Sequence, residues 1–241
     1  MNKRLILIAG KTTTGKSASL MNIENPEGAL YMNAESGKDL PFPSKFKQAK
    51  ITDPLQVPVL FDKAEEQGDK CHTIIVDSIT YLMDMYESQH VLTASNTMKG
   101  WSNYAQYFKS LMQGSVAKST KNVIMTAHTL TTLNEENGYM ETSVPIKGSL
   151  KNQGVESYFS TVIATKRVAV KDLEGYENDL LHITPEEEAL GHKYVFQTLP
   201  TKETIHERIR SPMRMWSRNE TYIDNDIQQV IKRLEEYYGK K

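Results

Sequence analysis

Leu5-Ile6-Leu7-Ile8-Ala9-Gly10-Lys11-Thr12-Thr13-Thr14-Gly15-Lys16-Ser17 decides how the rest of the chain is read. Residues 5–9 are apolar without a break, too short for a helix and lacking a polar face. They predict a strand buried on both sides, as in a parallel sheet covered by helices. The run stops at Gly10 and continues as G-x-x-x-x-G-K-S without a mismatch. In this pattern glycines let backbone N–H groups turn inward onto phosphate oxygens, and the positive end of a following helix adds to the attraction. The predicted cradle is Gly10, Lys11, Thr12, Thr13, Thr14, Gly15, Lys16, Ser17 and Ala18, with a helix expected over 17–23. Lys16 is placed to reach the β- and γ-phosphates of ATP, and Ser17 to offer a hydroxyl to Mg²⁺. A chance match in a glycine-containing turn is the plainer alternative. The strand before the loop and the helix expected after it argue against that.

Similar runs recur along the chain. Residues 29–33 (ALYMN), 73–76 (TIIV) and 123–127 (VIMTA) predict three more buried strands, and 161–165 (TVIAT) and 194–198 (YVFQT) two later ones. Helical patterns fill the gaps. Trp101, Tyr104, Ala105, Phe108, Leu111 and Met112 make one stripe over 101–116. Ile227, Val230, Ile231, Leu234 and Tyr238 make another over 225–238, with Asp224 expected to cap its start and Gly239 to end it. Strands alternating with helices predict an α/β fold. The expected architecture is a largely parallel twisted sheet with helices on both faces and an antiparallel edge where 194–198 meets 161–170. Residues 1–218 read as the core, and 219–241 as a C-terminal amphipathic helix packed on it or extending from it. Two polar stretches, 130–147 and 171–193, show no periodicity and read as loops. Loops that long are uncommon unless functional or mobile.

Composition narrows the class. Of 241 residues, 39% are hydrophobic and 24% charged, enough apolar material for a packed core. Lys plus Arg number 29 and Asp plus Glu 30, a net charge of −1. That excludes nucleic-acid binding by overall basicity but leaves room for a local basic patch. The lone cysteine, Cys71, excludes an internal disulfide and a cysteine-rich zinc site, and points to a reducing compartment. The apolar run near the N-terminus falls short of the about 7–15 residues of a signal peptide, and no stretch approaches the roughly 18 of a membrane span. The expectation is a soluble, cytoplasmic protein without a membrane partner.

Three polar residues end predicted strands. Asp77 closes 73–76 and reads as a second metal anchor beside Ser17, or as a cap for the following helix. Its neighbour is Ser78, not a second acid, so a base that activates water must come from elsewhere. Glu35 follows the strand 29–33. Parallel strands deliver their C-terminal ends to one rim, where ligands bind, so Glu35 shares an edge with Lys16 and Asp77. There it either orients water toward a γ-phosphate or is a solvated loop glutamate. His128 ends the strand 123–127. It reads as a sensor of the γ-phosphate, coupled to the loop from Leu130, or as a rim histidine satisfied by its neighbours.

Together, GKTTTGKS, Ala34-Glu35, IIVDS and His128, in this order over roughly residues 1–170, resemble the RecA-like P-loop ATPases. More closely, they resemble the short, core-only bacteriophage ATPases of single-strand annealing and recombination. The Asp-Ser pair with a distant Glu is the most discriminating part of the match. A glutamine usually stands where this chain has His128. The resemblance implies Mg-dependent, DNA-stimulated ATP hydrolysis, with Lys16, Glu35, Asp77 and His128 in the site. The implied partners are single-stranded DNA, further copies of the chain in a ring or filament, and a single-strand-binding protein. A phage-encoded chain would work in the host cytoplasm. Two mobile DNA-binding loops would fall at 91–100 and 130–147. The second carries Glu135, Glu136 and Glu141 and no basic residue before Lys147. Trp101 or Tyr139 could stack on a base, though Trp101 also belongs to a core stripe.

The resemblance also implies a basic residue that completes the site of a neighbouring subunit. Lys202, Arg208, Arg210, Arg214 and Arg218 follow the last strand, with Arg208 and Arg210 as candidates. Gripping DNA phosphates and a solvated basic face are the other readings of this cluster. No further DNA-binding domain is expected after Arg218. A nucleotide kinase and a non-catalytic nucleotide switch are the competing functions. No arginine-rich lid favours the kinase, and no Asn-Lys-x-Asp element favours a GTPase.

Overall fold

A computed structural model describes residues 2–239. Its elements are β1 (Leu5–Gly10), β2 (Ala29–Asn33), β3 (Lys47–Lys50), α1 (Gln56–Glu66), β4 (Thr73–Asp77), α2 (Ile79–Tyr86), α3 (Thr97–Ser110), β5 (Asn122–His128), β6 (Leu130–Asn134) and β7 (Tyr139–Ser143). These are followed by α4 (Leu150–Gln153), β8 (Thr161–Ala169), α5 (Pro185–Leu190), β9 (His192–Gln197), β10 (Tyr222–Asp224) and α6 (Ile227–Tyr238).

Eight strands form one sheet in the order β10-β9-β8-β1-β5-β4-β2-β3. From β3 to β8 every pairing is parallel, and β9 runs antiparallel to both β8 and β10. This is the α/β architecture that the sequence predicts. The expected β8–β9 pair forms, joining Ala164–Ala169 to His192–Gln197. It is not the edge, because β10 pairs outside it.

The unbroken apolar runs have a simple cause. Successive strand residues point to opposite faces, and both faces are covered. Leu5, Leu7, Met32, Ile74, Val76 and Met125 join a core with Phe61 of α1, Leu82 of α2 and Phe108 of α3. Ile6, Ile8, Tyr31, Ile75, Ile124 and Phe196 join a second core with Leu20, Trp216 and the Ile227–Leu234 stripe of α6. Burying each such aliphatic side chain stabilises the fold by roughly 1.5–3 kcal/mol. The side chains buried on one face also hold the sheet against α6, so the C-terminal helix is packed on the core.

Several local expectations change. The helix predicted over 17–23 is a single 3-10 turn, Ala18–Leu20. Ser19 Oγ donates to the Lys16 carbonyl at 2.6 Å, and left-handed Asn25 followed by Pro26 blocks any extension. The loop expected at 91–100 shrinks to residues 92–96, with Val91 and residues 97–100 in helical turns. A wide turn ends at Val91, and α3 starts at Thr97 with the Asn96 side chain accepting from the Lys99 amide. The stripe over 101–116 is helical as predicted, though its last turns, Leu111–Val116, are more widely wound. The segment 130–147 is not structureless: β6 and β7 pair as an antiparallel hairpin. Within 171–193, Thr184 and Glu187 form a reciprocal cap that starts α5. Asp226, not Asp224, caps α6, accepting from the Gln228 amide at 2.8 Å. Asp224 instead meets His182 and Lys193. Gly239 ends α6 as expected. Among the described residues no helix is long and apolar enough to cross a membrane.

Candidate functional site

β1 carries Gly10 to the C-terminal rim of the sheet, and the loop that follows folds back on itself there. Thr13 (φ 65°) and Gly15 (φ 95°) adopt the left-handed conformation. A Cβ at Gly10 would lie 2.1 Å from Thr165 Oγ1, and one at Gly15 would lie 2.5 Å from Asn225 Nδ2. A side chain at Gly15 would be strained by its φ, and one at Gly10 would force the Thr14–Thr165 contact to shift. Thr14 and Thr165 hydroxyls are 2.6 Å apart and tie the loop to β8.

Lys16 is 6% exposed. Its ammonium donates to the carbonyls of Gly10 at 3.0 Å and Lys11 at 2.8 Å. Burial lowers its pKa from 10.5 to about 8, although Glu35 and Asp77 pull it upward. The cost of stripping water from this cation is already met by the fold, which favours an anionic ligand.

Asp77 is 1% exposed at the end of β4. Its carboxylate accepts from Ser17 Oγ at 2.8 Å, from the Tyr31 hydroxyl at 2.8 Å, and from Thr126 Oγ1. Both oxygens are thus taken up by side-chain hydroxyls, and Ser78, not Asp77, stands at the N-cap of α2. The Asp77–Ser78 peptide bond is cis. Ser17 Oγ and the Asp77 carboxylate are adjacent hard oxygen donors, which suits Mg²⁺. Among the described residues no group of three His, Cys, Asp or Glu could hold a metal unaided. A magnesium ion shared with substrate phosphates needs only one or two protein oxygens.

Glu35 is fixed where β2 ends. Its amide donates to Asn33 Oδ1 at 3.0 Å, and Asn33 Nδ2 donates to the Lys38 carbonyl at 2.8 Å, which closes the turn. Glu35 Oε1 lies 3.1 Å from His128 Nε2, and the Glu35 side chain is 11% exposed. This hydrogen bond lowers the Glu35 pKa below 4.5, so the group is ionised at neutral pH. Its stabilising effect is present above the ordinary carboxylate range and is lost as pH falls through the depressed value. His128 also approaches Lys16 Nζ and Thr12 Oγ1 through Nδ1, each at 3.4 Å, and its amide donates to Thr80 Oγ1 at 2.9 Å. Glu35 is therefore an anchored carboxylate rather than a solvated one.

These groups share one cavity of about 500 Å³, with Thr12, Lys16, Glu35, Asp77 and His128 in its wall. A cavity of similar volume at the opposite, N-terminal ends of the strands, beside His72 and Lys121, contains none of them. Arg208 and Arg210 do not line the loop cavity. Arg208 pairs with Glu141 at 2.8 Å and Glu156 at 3.1 Å in its own chain. Arg210 donates to the Phe159 carbonyl at 3.3 Å. Trp101 packs edge-on against Tyr104, within a core cluster.

A family model described as AAA domain matches residues 2–205. The chain belongs to the AAA domain family. It is a P-loop, nucleotide-binding ATPase domain. No curated protein matches the sequence.

Within this AAA domain, Tyr31, Thr126, Thr165 and Asn225 were not foreseen as site residues. Tyr31 and Thr126 lie on the face of the sheet that Asp77 shares with Ile75. Strand alternation and register, read across neighbouring strands, carry that signal. Asn225, 210 residues from Gly15, had no sequence signal at all.

Proposed function

We propose that this AAA domain hydrolyses ATP as an oligomeric RecA-like recombination protein of the bacteriophage annealing type, acting on single-stranded DNA. The observation that carries the reading is the Glu35–His128 pair, set one strand away from Asp77 and joined to Lys16. Asp77 is followed by Ser78, so Glu35 is the carboxylate left to serve water. Lys16 binds the terminal phosphates. Ser17 and Asp77 would hold Mg²⁺, which supplies positive charge against the phosphate oxygens when bound. Glu35, ionised and held by His128, orients water and accepts its proton. His128 is one residue from β6, so a change at the terminal phosphate reaches the β6–β7 hairpin through Thr129.

The hairpin is the candidate DNA-facing element, with a single-strand-binding protein as a further partner. Between the two arginines proposed to act across a subunit boundary, Arg210 is favoured. Arg208 is neutralised by two carboxylates of its own chain.

Steady-state ATP turnover, measured with and without single-stranded DNA across a salt series, tests the proposal. Turnover should rise several-fold with DNA at low salt and lose that rise as salt increases. ATP hydrolysis indifferent to DNA at every salt concentration removes the DNA half of the reading. Phosphate transfer to a nucleoside would replace it with a kinase.

A further inference from the structure

Tyr194 is out of place on its strand. Val195, Phe196 and Gln197 of β9 are fully buried, whereas Tyr194 is 39% exposed. Its ring lines the same cavity as Lys16 and Asp77. Met21, 59% exposed, lines that cavity too, with Ala18 between the loop and Met21 in sequence. Exposed aromatic and thioether side chains in the wall of a cavity offer polarizable surface to a flat ring. Its aromatic neighbour His192 meets it at 78°, 6.0 Å between centroids, so that ring does not stack on its face.

The loop fixes where this surface sits relative to the phosphates. A Cβ at Gly15 would come within 3.6 Å of Tyr194 Cδ1, so the ring lies against the bare glycine. Asn225 Nδ2 donates to the Gly15 carbonyl at 2.9 Å from the same side. Ser17, two residues on, donates to the Asp77 carboxylate. The cavity therefore has a charged part around Lys16, Asp77 and Glu35, and an aromatic part around Tyr194, with Gly15–Ser17 between them.

We infer that Tyr194, in a cavity wall that Met21 also lines, is the base subsite: a stacking platform for the heteroaromatic ring of a nucleoside triphosphate whose phosphates lie in the loop. This rests on the nucleotide-binding reading and extends it to the half of the ligand that the loop does not touch. Asn225 acts as a positioning residue, holding Gly15 beside the ring.

Calorimetric titration of two ligands separates the halves. Mg-ATP carries a base, and Mg-tripolyphosphate has only the phosphates. The unaltered chain should bind ATP more tightly than tripolyphosphate. Tyr194→Ala should weaken ATP binding roughly tenfold, in the range of a lost base–aromatic stack, and leave tripolyphosphate affinity unchanged. Tyr194→Phe should keep ATP affinity near that of the unaltered chain. Unchanged ATP affinity in Tyr194→Ala overturns the inference. So does an equal loss for both ligands, which would make Tyr194 a support for the loop. If the unaltered chain binds neither ligand, the phosphate cradle itself fails and the base subsite falls with it. Tripolyphosphate binding that matches ATP binding removes the subsite alone.

Discussion

Two regions meet at the C-terminal rim, and they are held together in different ways. The nucleotide cavity is built from strand ends a few residues apart in space, joined by short hydrogen bonds to one buried carboxylate and one buried lysine. The adjoining hairpin is held by charge and stacking from a distant segment. Arg208 bridges Glu141 and Glu156, Lys166 meets Glu207 at 2.6 Å, and Tyr139 stacks on His206 at 3.7 Å. Glu156 Oε1 also accepts from the Val144 amide at 2.7 Å, at the end of the hairpin. Under the proposed function the first region carries the chemistry, while the second holds the hairpin in position. Substitutions should therefore separate turnover from stability.

The largest effect belongs to the cavity. Glu35→Gln keeps the shape and loses the base, so ATP turnover should fall by about 10²–10⁴-fold, while calorimetry still detects nucleotide binding. Unchanged turnover would take Glu35 out of the chemistry. The hairpin clasp should behave in the opposite way. Arg208→Ala strands the buried Glu156 and should cost about 3 kcal/mol in chemical denaturation, with nucleotide affinity little altered. A stable Arg208→Ala protein that has lost nucleotide binding would erase the distinction between the two regions.

A smaller effect should reverse the usual sense of a buried-residue substitution. The fold holds the Lys16 pKa at about 8, against 10.5 when solvated. The fold disfavours the protonated form, so the penalty is complete below pH 8, shrinks between the two values, and vanishes above 10.5. Lys16→Met should thus be more stable than the parent at pH 7, by on the order of 2 kcal/mol, and the gap should close by pH 10.5. Thermal denaturation against pH reads this directly. Affinity for nucleotide should decline in parallel as pH rises through 8, because the unliganded lysine loses its proton there. The smallest effect is at Asp77. Tyr31→Phe removes one of three hydroxyls and should cost about 1.5 kcal/mol, with the Mg²⁺ concentration for half-maximal nucleotide binding raised. An unchanged magnesium dependence would leave Tyr31 a purely structural partner.

The same contrast explains what could be read in advance. Gly10–Ser17, Asp77, Glu35 and His128 each stand at the end of an apolar run. Local pattern and the parallel-sheet rule were enough to bring them to one rim. The two-faced cores follow from unbroken runs such as Leu5–Ala9. The rest was illegible for physical reasons. The helix expected after the loop was cut short by a serine back-bond and an Asn-Pro pair, a local competition that periodicity does not register. The hairpin was hidden because its strands are polar and half-exposed. The Arg208 clasp joins residues 52 and 67 positions apart, and no spacing rule links them.

The central claim is that the Gly10–Ser17 loop with its buried lysine grips the phosphates of a nucleotide. Titration calorimetry of Mg-ATP against the unaltered chain and Lys16→Ala tests it most directly. Mg-ATP should bind the first saturably and the second at least a hundredfold more weakly or not detectably, on the scale of removing a buried charge–phosphate contact. Equal affinity in the two proteins would contradict it.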